Sequence, residues 1–201
     1  MDPRRLLIFA LLAEAAVAAF GMAWIQLRAL PLIPGPLLPG TVLGAAGAAV
    51  LAFVNFMLLR WAPDLPVIRS LRRVYREVFR PLFSRIGVRE TILISMAAGV
   101  GEELLFRGAV QQEWGLIPAS LLFGAAHFGG TGTLGFAVWA AAIGGFLGWL
   151  ALAAQGLLAP VVAHMLYDAL ALAYIRWGRE LSADSVDPES DHRPTQPGGV
   201  L

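Results

Sequence analysis

The chain alternates long apolar stretches with short polar or proline-rich connections. Five stretches are long enough to cross the hydrocarbon core of a bilayer, which takes about 20 helical residues, and they cover residues 6–27, 41–59, 91–112, 134–154 and 157–177. A sixth, 116–128, spans only about 20 Å at 1.5 Å per residue and should end within the membrane at Gly129-Gly130 or borrow flanking residues. The pattern predicts an all-α, polytopic integral membrane helix bundle of about six transmembrane segments.

One long polar stretch, residues 60–89, interrupts this pattern. It carries eight arginines against Asp64 and Glu77, interleaved with apolar residues at roughly helical spacing. A helix with one arginine face and one apolar face is typical of the headgroup layer, where the basic face meets anionic lipid. We therefore predict an amphipathic basic interfacial helix whose apolar positions are Val67, Ile68, Leu71, Val74, Tyr75, Val78 and Phe79.

Composition agrees with a membrane protein. The chain of 201 residues is 58% hydrophobic, with a mean hydropathy of +0.69, whereas a soluble domain is about 45–50% apolar. We predict one transmembrane domain over residues 1–177 and a polar, disordered tail over 178–201. The absence of cysteine excludes a thiolate nucleophile and a disulfide framework, and a net charge of +1 gives no indication of a nucleic-acid partner.

The distribution of basic residues predicts the orientation. If six segments cross, Arg4, Arg5, the 60–89 stretch, Arg176 and Arg179 fall on one side, and the opposite loops hold little beyond Arg28. The positive-inside rule then places both termini in the cytoplasm. All 15 basic residues are arginine, which hints at a GC-rich prokaryotic genome and hence at a prokaryotic inner membrane. The sequence does not indicate an oligomeric state.

The segment 91–112 contains an acidic cluster at membrane depth. Ionisable side chains there are costly and usually mark a functional site or a water-filled cavity. Glu103 and Arg107 lie four residues apart, so they share a helix face and are expected to form an ion pair. Glu102 points elsewhere and is left free for acid or base chemistry. The alternative is a structural network in which all three residues hold helices together.

Two histidines follow in the next segments. Phe123 and His127 lie four residues apart just before the Gly-Gly break, where a histidine alone is more often a satisfied helix-end residue than a catalyst. His164 and Asp168, also four apart in the last segment, can hydrogen-bond along the helix and so orient the imidazole. Either pair alone could serve packing, but three polar clusters on three apolar segments favour a shared site.

The residue types limit the chemistry. No serine lies in a G-x-S-x-G elbow, so nucleophilic acyl transfer has little support. Water activation fits better: Glu102 with His127 would deprotonate a water that attacks a peptide carbonyl. His164 with Asp168 would stabilise the oxyanion or donate a proton to the leaving amine. These four residues could instead ligate zinc, although no H-E-x-x-H motif is present.

The three clusters resemble the motifs of the CAAX protease and bacteriocin-processing (CPBP) family of intramembrane proteases. Residues 102–107 match E-E-x-x-x-R, 123–127 match F-x-x-x-H and 164–168 match H-x-x-x-N/D, in family order within residues 91–174. The resemblance implies a glutamate-dependent peptidase in which Glu102 and His127 activate water. His164 and Asp168 would form the oxyanion site, with Glu103, Arg107 and Phe123 in support.

The third motif departs from the prenyl-protein enzymes of the family, which have asparagine where this chain has Asp168. An ionised aspartate cannot donate a hydrogen bond to an oxyanion, so either Asp168 is protonated or it orients His164, which then donates alone. We favour the second alternative. In a prokaryote the resemblance implies protein sorting or peptide processing on a membrane-anchored protein or peptide. The alternative is a non-catalytic membrane protein: a bacteriocin immunity factor, a scaffold or a small transporter component.

Overall fold

The structure is a computed structural model that describes residues 2–178, and this part of the chain is helical throughout, apart from its connections. The predicted polar tail lies outside the described residues except for Gly178. The helices are α1 (Pro3–Leu27), α2 (Leu37–Arg60), α3 (Pro66–Val74), α4 (Arg80–Phe83), α5 (Val88–Leu105), α6 (Gln111–Trp114), α7 (Leu116–Ala126), α8 (Leu134–Ala153) and α9 (Leu158–Trp177).

In the described part of the chain, two π-helical turns each join shorter helices into a longer one. Tyr75–Phe79 joins α3 to α4, and Phe106–Val110 joins α5 to α6, so that residues 88–114 run as one continuous helix. The second turn follows the acidic cluster directly, and such turns often occur at functional sites. Gly115 then adopts a φ of 85°, a left-handed conformation that glycine tolerates, and the chain turns sharply into α7.

The long segments run back and forth between two ends of the bundle. At the arginine end, a buried cluster joins Leu6, Leu59, Leu71, Ile86 and Ile175. At the opposite end, the Arg28 guanidinium donates to Glu113 and so lowers the pKa of that carboxyl. There the Leu158 N–H also bonds the Pro34 carbonyl. Successive segments therefore alternate in direction, as the sequence predicted.

Within residues 2–178, four helical segments are long and apolar enough to cross a membrane: Pro3–Leu27, Leu37–Arg60, Thr131–Ala153 and Leu158–Trp177. The protein is thus a polytopic, multi-pass membrane helix bundle. The helix over 88–114 has sufficient length but carries the acidic cluster, and α7 has only 11 residues, as expected from its short apolar run. That these two segments also cross, making six, stays a prediction.

The amphipathic helix predicted within residues 60–89 is present but folds onto the bundle. Its apolar residues Ile68, Leu71 and Val74 are buried, whereas Arg69 and Arg73 are exposed. The Arg72 guanidinium donates to three backbone carbonyls at the end of α2: Leu58, Leu59 and Ala62. The apolar face thus covers protein, and it forms one wall of the cavity described below.

Glycines let α9 approach α5 closely enough to build the site. A Cβ at Gly99 would lie 2.4 Å from Met165 Cγ and 2.9 Å from the Met165 nitrogen, a separation that real side chains do not reach. We expect Gly99→Ala to push the two helices apart, to cost about 1–3 kcal/mol of unfolding free energy and to weaken any activity at the site. Thermal unfolding in detergent measures the first effect.

The matched control is Gly145→Ala on α8, whose new Cβ would lie 3.5 Å from Ser120 Oγ, an ordinary contact. This variant should unfold at the wild-type temperature. Equal unfolding temperatures for both variants would show that close approach at Gly99 does not matter for stability.

Candidate active site

Glu103 lies at the centre of a buried polar network. Its side chain is completely buried, and its Oε1 atom accepts a 2.8 Å hydrogen bond from Arg107 Nη1. The ion pair expected from their spacing is therefore present. The same oxygen also accepts a 2.8 Å hydrogen bond from His164 Nδ1 on α9. Glu103 thus connects the acidic cluster to the third motif, a role that the sequence did not reveal.

Arg107 and Gln111 fasten this helix to α8. Arg107 Nη2 donates to the Gly144 carbonyl at 2.7 Å, and one turn later Gln111 Nε2 donates to the Gly148 carbonyl at 3.0 Å. The guanidinium also lies 4.7 Å from the centre of the Phe123 ring, a cation–π contact. Sequence reasoning missed Gln111. The available signal was its spacing: Gln111 lies four residues after Arg107, just as Gly148 lies four residues after Gly144.

The orientation of His164 corrects one expectation. We expected Asp168 to hold the imidazole, but Asp168 Oδ2 lies 3.6 Å from His164 Nε2, outside hydrogen-bond distance. Glu103 holds the ring instead, through Nδ1. The reason is the close packing of α5 against α9, which brings a buried carboxylate from another helix nearer to the ring than the residue one turn away on its own helix.

Glu102 is adjacent to this network without being tied to it. Its Oε2 atom is buried and has no hydrogen-bond partner among the described residues, and it lies 4.0 Å from His164 Nε2. A buried carboxylate oxygen without a partner is costly in a structural network. Its position agrees with the expectation that Glu102, unlike Glu103, is left free for chemistry.

His127 caps α7 and reaches the same place. Its Nδ1 lies 2.8 Å from the Phe123 carbonyl oxygen, which can only accept, so Nδ1 carries the proton and Nε2 is the basic nitrogen. The imidazole packs against the Phe123 ring at 4.8 Å between centres, and Phe123 also contacts the His164 ring at 5.8 Å. Phe123 therefore positions both imidazoles.

A cavity of about 290 Å³ brings these groups together. Its ionisable lining includes Glu102, His127, His164 and Asp168, which are the four residues that the sequence singled out for catalysis. The remaining walls are largely apolar and aromatic, and those from the amphipathic helix and its neighbours include Leu71, Tyr75, Phe79, Phe83, Ile94 and Phe136. The arrangement is a concave apolar site with a few convergent polar groups, as expected for a binding or catalytic pocket.

A zinc site would require at least three of these side chains to reach one common metal position. Among the residues that the structure describes, no three His, Asp or Glu side chains are placed so that they could hold one metal ion. Two of the imidazole nitrogens are also engaged elsewhere, by Glu103 and by the Phe123 carbonyl. The arrangement does not fit a metal centre, and no step below involves one.

Sequence reasoning also missed two polar residues on the first two helices. Asn55 of α2 lines the cavity. Glu14 of α1 interacts electrostatically with Glu102, His164 and Asp168, and its Oε2 is buried without a hydrogen-bond partner in the described part of the chain. The signal for Glu14 was an acid within an apolar span, which is the criterion that singled out Glu102.

Comparison with known proteins agrees with the motif order. The family described as Type II CAAX prenyl endopeptidase Rce1-like matches residues 85–170, which include every motif residue from Glu102 to Asp168. The chain is also similar to the uncharacterized protein YpbD of Bacillus subtilis (strain 168). The two are 26% identical over 136 residues, which cover 67% of this chain and 68% of that protein. No solved structure matches.

The matched region runs from just before α5 into α9, and it contains the helices that carry all three motifs. Its geometry gives these motifs a common location, with Glu103 and His164 joined directly and Glu102 and His127 on the same cavity. Residues 85–170 of this membrane protein therefore form a domain of the Rce1-like type II CAAX prenyl endopeptidase family.

Proposed function

We propose that the protein is an intramembrane endopeptidase that hydrolyses a peptide bond in a membrane-anchored protein or peptide. The observation that carries this proposal is the convergence of Glu102, His127, His164 and Asp168 on one largely apolar cavity inside the bundle. Membership of the matched domain in a peptidase family supports it independently. A structural network alone gives no reason to leave the Glu102 carboxylate buried and unpaired.

In this mechanism Glu102 and His127 activate the water. Water held between the Glu102 carboxylate and His127 Nε2 gives up a proton to Glu102 as its oxygen attacks the substrate carbonyl. The Phe123 carbonyl fixes the tautomer of His127 and so keeps Nε2 available as an acceptor. The carbonyl becomes a tetrahedral oxyanion, and Glu102 then returns the proton to the leaving amine as the C–N bond breaks.

His164 stabilises the oxyanion. Glu103 accepts from Nδ1 and orients the ring, and Nε2 faces the cavity near Glu102 and Asp168. An imidazolium donates from both nitrogens, so Nε2–H is the donor available to the oxyanion. Asp168, which lies 3.6 Å from Nε2, balances this positive charge and does not itself donate. This assignment accommodates aspartate at the third motif.

The cavity walls indicate the substrate class. They are predominantly apolar and aromatic, which favours a peptide with apolar groups next to the scissile bond over a polar one. We place the protein in a prokaryotic inner membrane, with both termini in the cytoplasm and the arginine end on that side. Protein sorting or peptide processing is the role that this placement favours.

The test is cleavage by the purified protein in proteoliposomes, with membrane-anchored peptides that carry apolar residues around the candidate bond. Mass spectrometry identifies the products. We expect cleavage by wild type, survival of that cleavage in the presence of a strong chelator, and its loss in His127→Ala by about 10²-fold or more. If His127 only packed against Phe123 and took no part in the reaction, His127→Ala would not lower the cleavage rate to this extent.

Phe128→Ala is the matched control, because Phe128 is the next residue and its side chain is exposed on the bundle surface. It should cleave like wild type. Full activity in His127→Ala would contradict the water-activating role, whereas loss of wild-type cleavage under chelator would point to a metal-dependent reaction.

A further inference from the structure

Glu14 is an acid in the middle of the apolar helix α1, a position that the proposed mechanism does not use. A carboxyl group at membrane depth is costly unless another group compensates it. The Glu14 Oε2 atom is buried, yet no hydrogen-bond partner exists for it within residues 2–178. Packing therefore leaves this acid without a structural reason to be there.

The backbone contact between α1 and α5 places Glu14 beside the catalytic carboxylate. A Cβ built on Gly101 would lie 2.8 Å from the Glu14 carbonyl oxygen and 3.2 Å from its Oε2. Only a glycine leaves that space, so the Glu14 side chain lies against the turn of α5 that immediately precedes Glu102. Glu14 is not among the residues that line the cavity.

The charged groups that face Glu14 come from two helices. Glu102 is contributed by α5, and His164 and Asp168 are contributed by α9. The neighbouring Glu103 and Arg107 are already bonded to each other. Three acids around one imidazole carry more negative charge than the single ring can balance, and two adjacent carboxyl groups relieve this by sharing a proton.

We propose that Glu14 is a positioning residue that shares one proton with Glu102. The shared hydrogen bond uses the two buried oxygens that otherwise have no partner, and it leaves a single negative charge on the pair. It also holds the Glu102 carboxyl in place, so that its other oxygen is available to take the proton from the water. This inference rests on the proposed function, in which Glu102 is the general base.

The experiment compares wild type with Glu14→Gln in proteoliposomes across a range of pH. Glutamine keeps the size of the side chain but removes the acid. We expect kcat to fall by up to about 10²-fold because Glu102 loses its orientation, while KM is unchanged because Glu14 does not touch the substrate. The acidic limb of the pH profile should move to higher pH, since Glu14 no longer donates the hydrogen bond that stabilises the charged form of the pair.

A second readout does not need activity. The infrared carbonyl band of protonated carboxyl groups should persist in wild type above the ordinary carboxyl range, roughly pH 4, and should be lost in both Glu14→Gln and Glu102→Gln. Glu113→Gln, which removes an acid paired with Arg28 at the opposite end, is the control and should retain the band. Absence of cleavage by wild type would refute the proposed function. The infrared band does not depend on cleavage, so it tests the shared proton separately.

Three results would overturn the inference: a wild-type kcat and pH profile in Glu14→Gln, a band that survives in this variant, or a loss confined to KM. If Glu14→Gln does not fold, Glu14→Asp replaces it, because it keeps the acid but shortens its reach by one methylene. A reduced kcat in Glu14→Asp supports the inference, and a wild-type kcat overturns it.

Discussion

Glu102→Gln should abolish peptide cleavage without unfolding the protein. Glutamine has nearly the size and shape of glutamate, so the packing around α5 is preserved, but it cannot accept a proton from water. Removal of a general base typically costs about 10²–10⁴-fold in rate. We expect kcat to fall within or beyond that range while the unfolding temperature in detergent stays at the wild-type value.

The unfolding temperature of Glu102→Gln distinguishes a catalytic role of Glu102 from a structural one. The Glu102 Oε2 atom has no hydrogen bond to lose within the described chain, so a structural role predicts little change or even a gain in stability, and no specific loss of rate. Glu113→Gln, an acid outside the cavity, should cleave like wild type and controls for the change in net charge. Substantial turnover by Glu102→Gln would refute the assignment of Glu102 as the base.

Arg107→Met should cost both stability and activity. The guanidinium is bonded to Glu103 and to the Gly144 carbonyl, and only 1% of its side chain is exposed. Methionine fills a similar volume but leaves the Glu103 carboxylate buried without its cation. Breaking a buried ion pair in this way typically costs about 3–5 kcal/mol, which should appear as a lower unfolding temperature in detergent. Arg73→Met, on the exposed face of α3, should change stability little.

The double variant Glu103→Leu with Arg107→Met separates the two effects. Replacing both partners of a buried ion pair by apolar residues is often neutral or stabilising, so most of the lost stability should return. Activity should not return, because His164 loses the carboxylate that holds its Nδ1. Recovery of cleavage in the double variant would show that Glu103 does not position His164, and no recovery of stability would show that the ion pair is not the source of the loss.

The sequence was most informative where a side chain interacts with its own helix or with the bilayer. Four spans follow from the length of apolar runs, because the thickness of the bilayer sets how many residues a helix needs. The Glu103–Arg107 pair follows from i, i+4 geometry, which depends only on the helix. The four residues around the cavity were found because ionisable groups are rare at membrane depth. Glu14 satisfied the same criterion and was overlooked.

Contacts between different helices could not be predicted from the sequence. The spacing of His164 and Asp168 suggested a bond along α9, but the glycine contact at Gly99 brings α5 close enough for Glu103 to take that role. Likewise, the amphipathic pattern of α3 predicts a face that avoids water but not what covers it, and here that face closes the cavity.

The apolar periodicity of this chain by itself determined the helices, the polar clusters and the pairs within one helix, because these depend on local geometry and on the cost of charge in a membrane. Only the tertiary structure decided which carboxylate holds His164, which oxygen of Glu102 is unpaired, and that Glu14 reaches the same place. The physical reason is that these features depend on where different helices cross, and the crossings are set by small residues that allow backbones to approach.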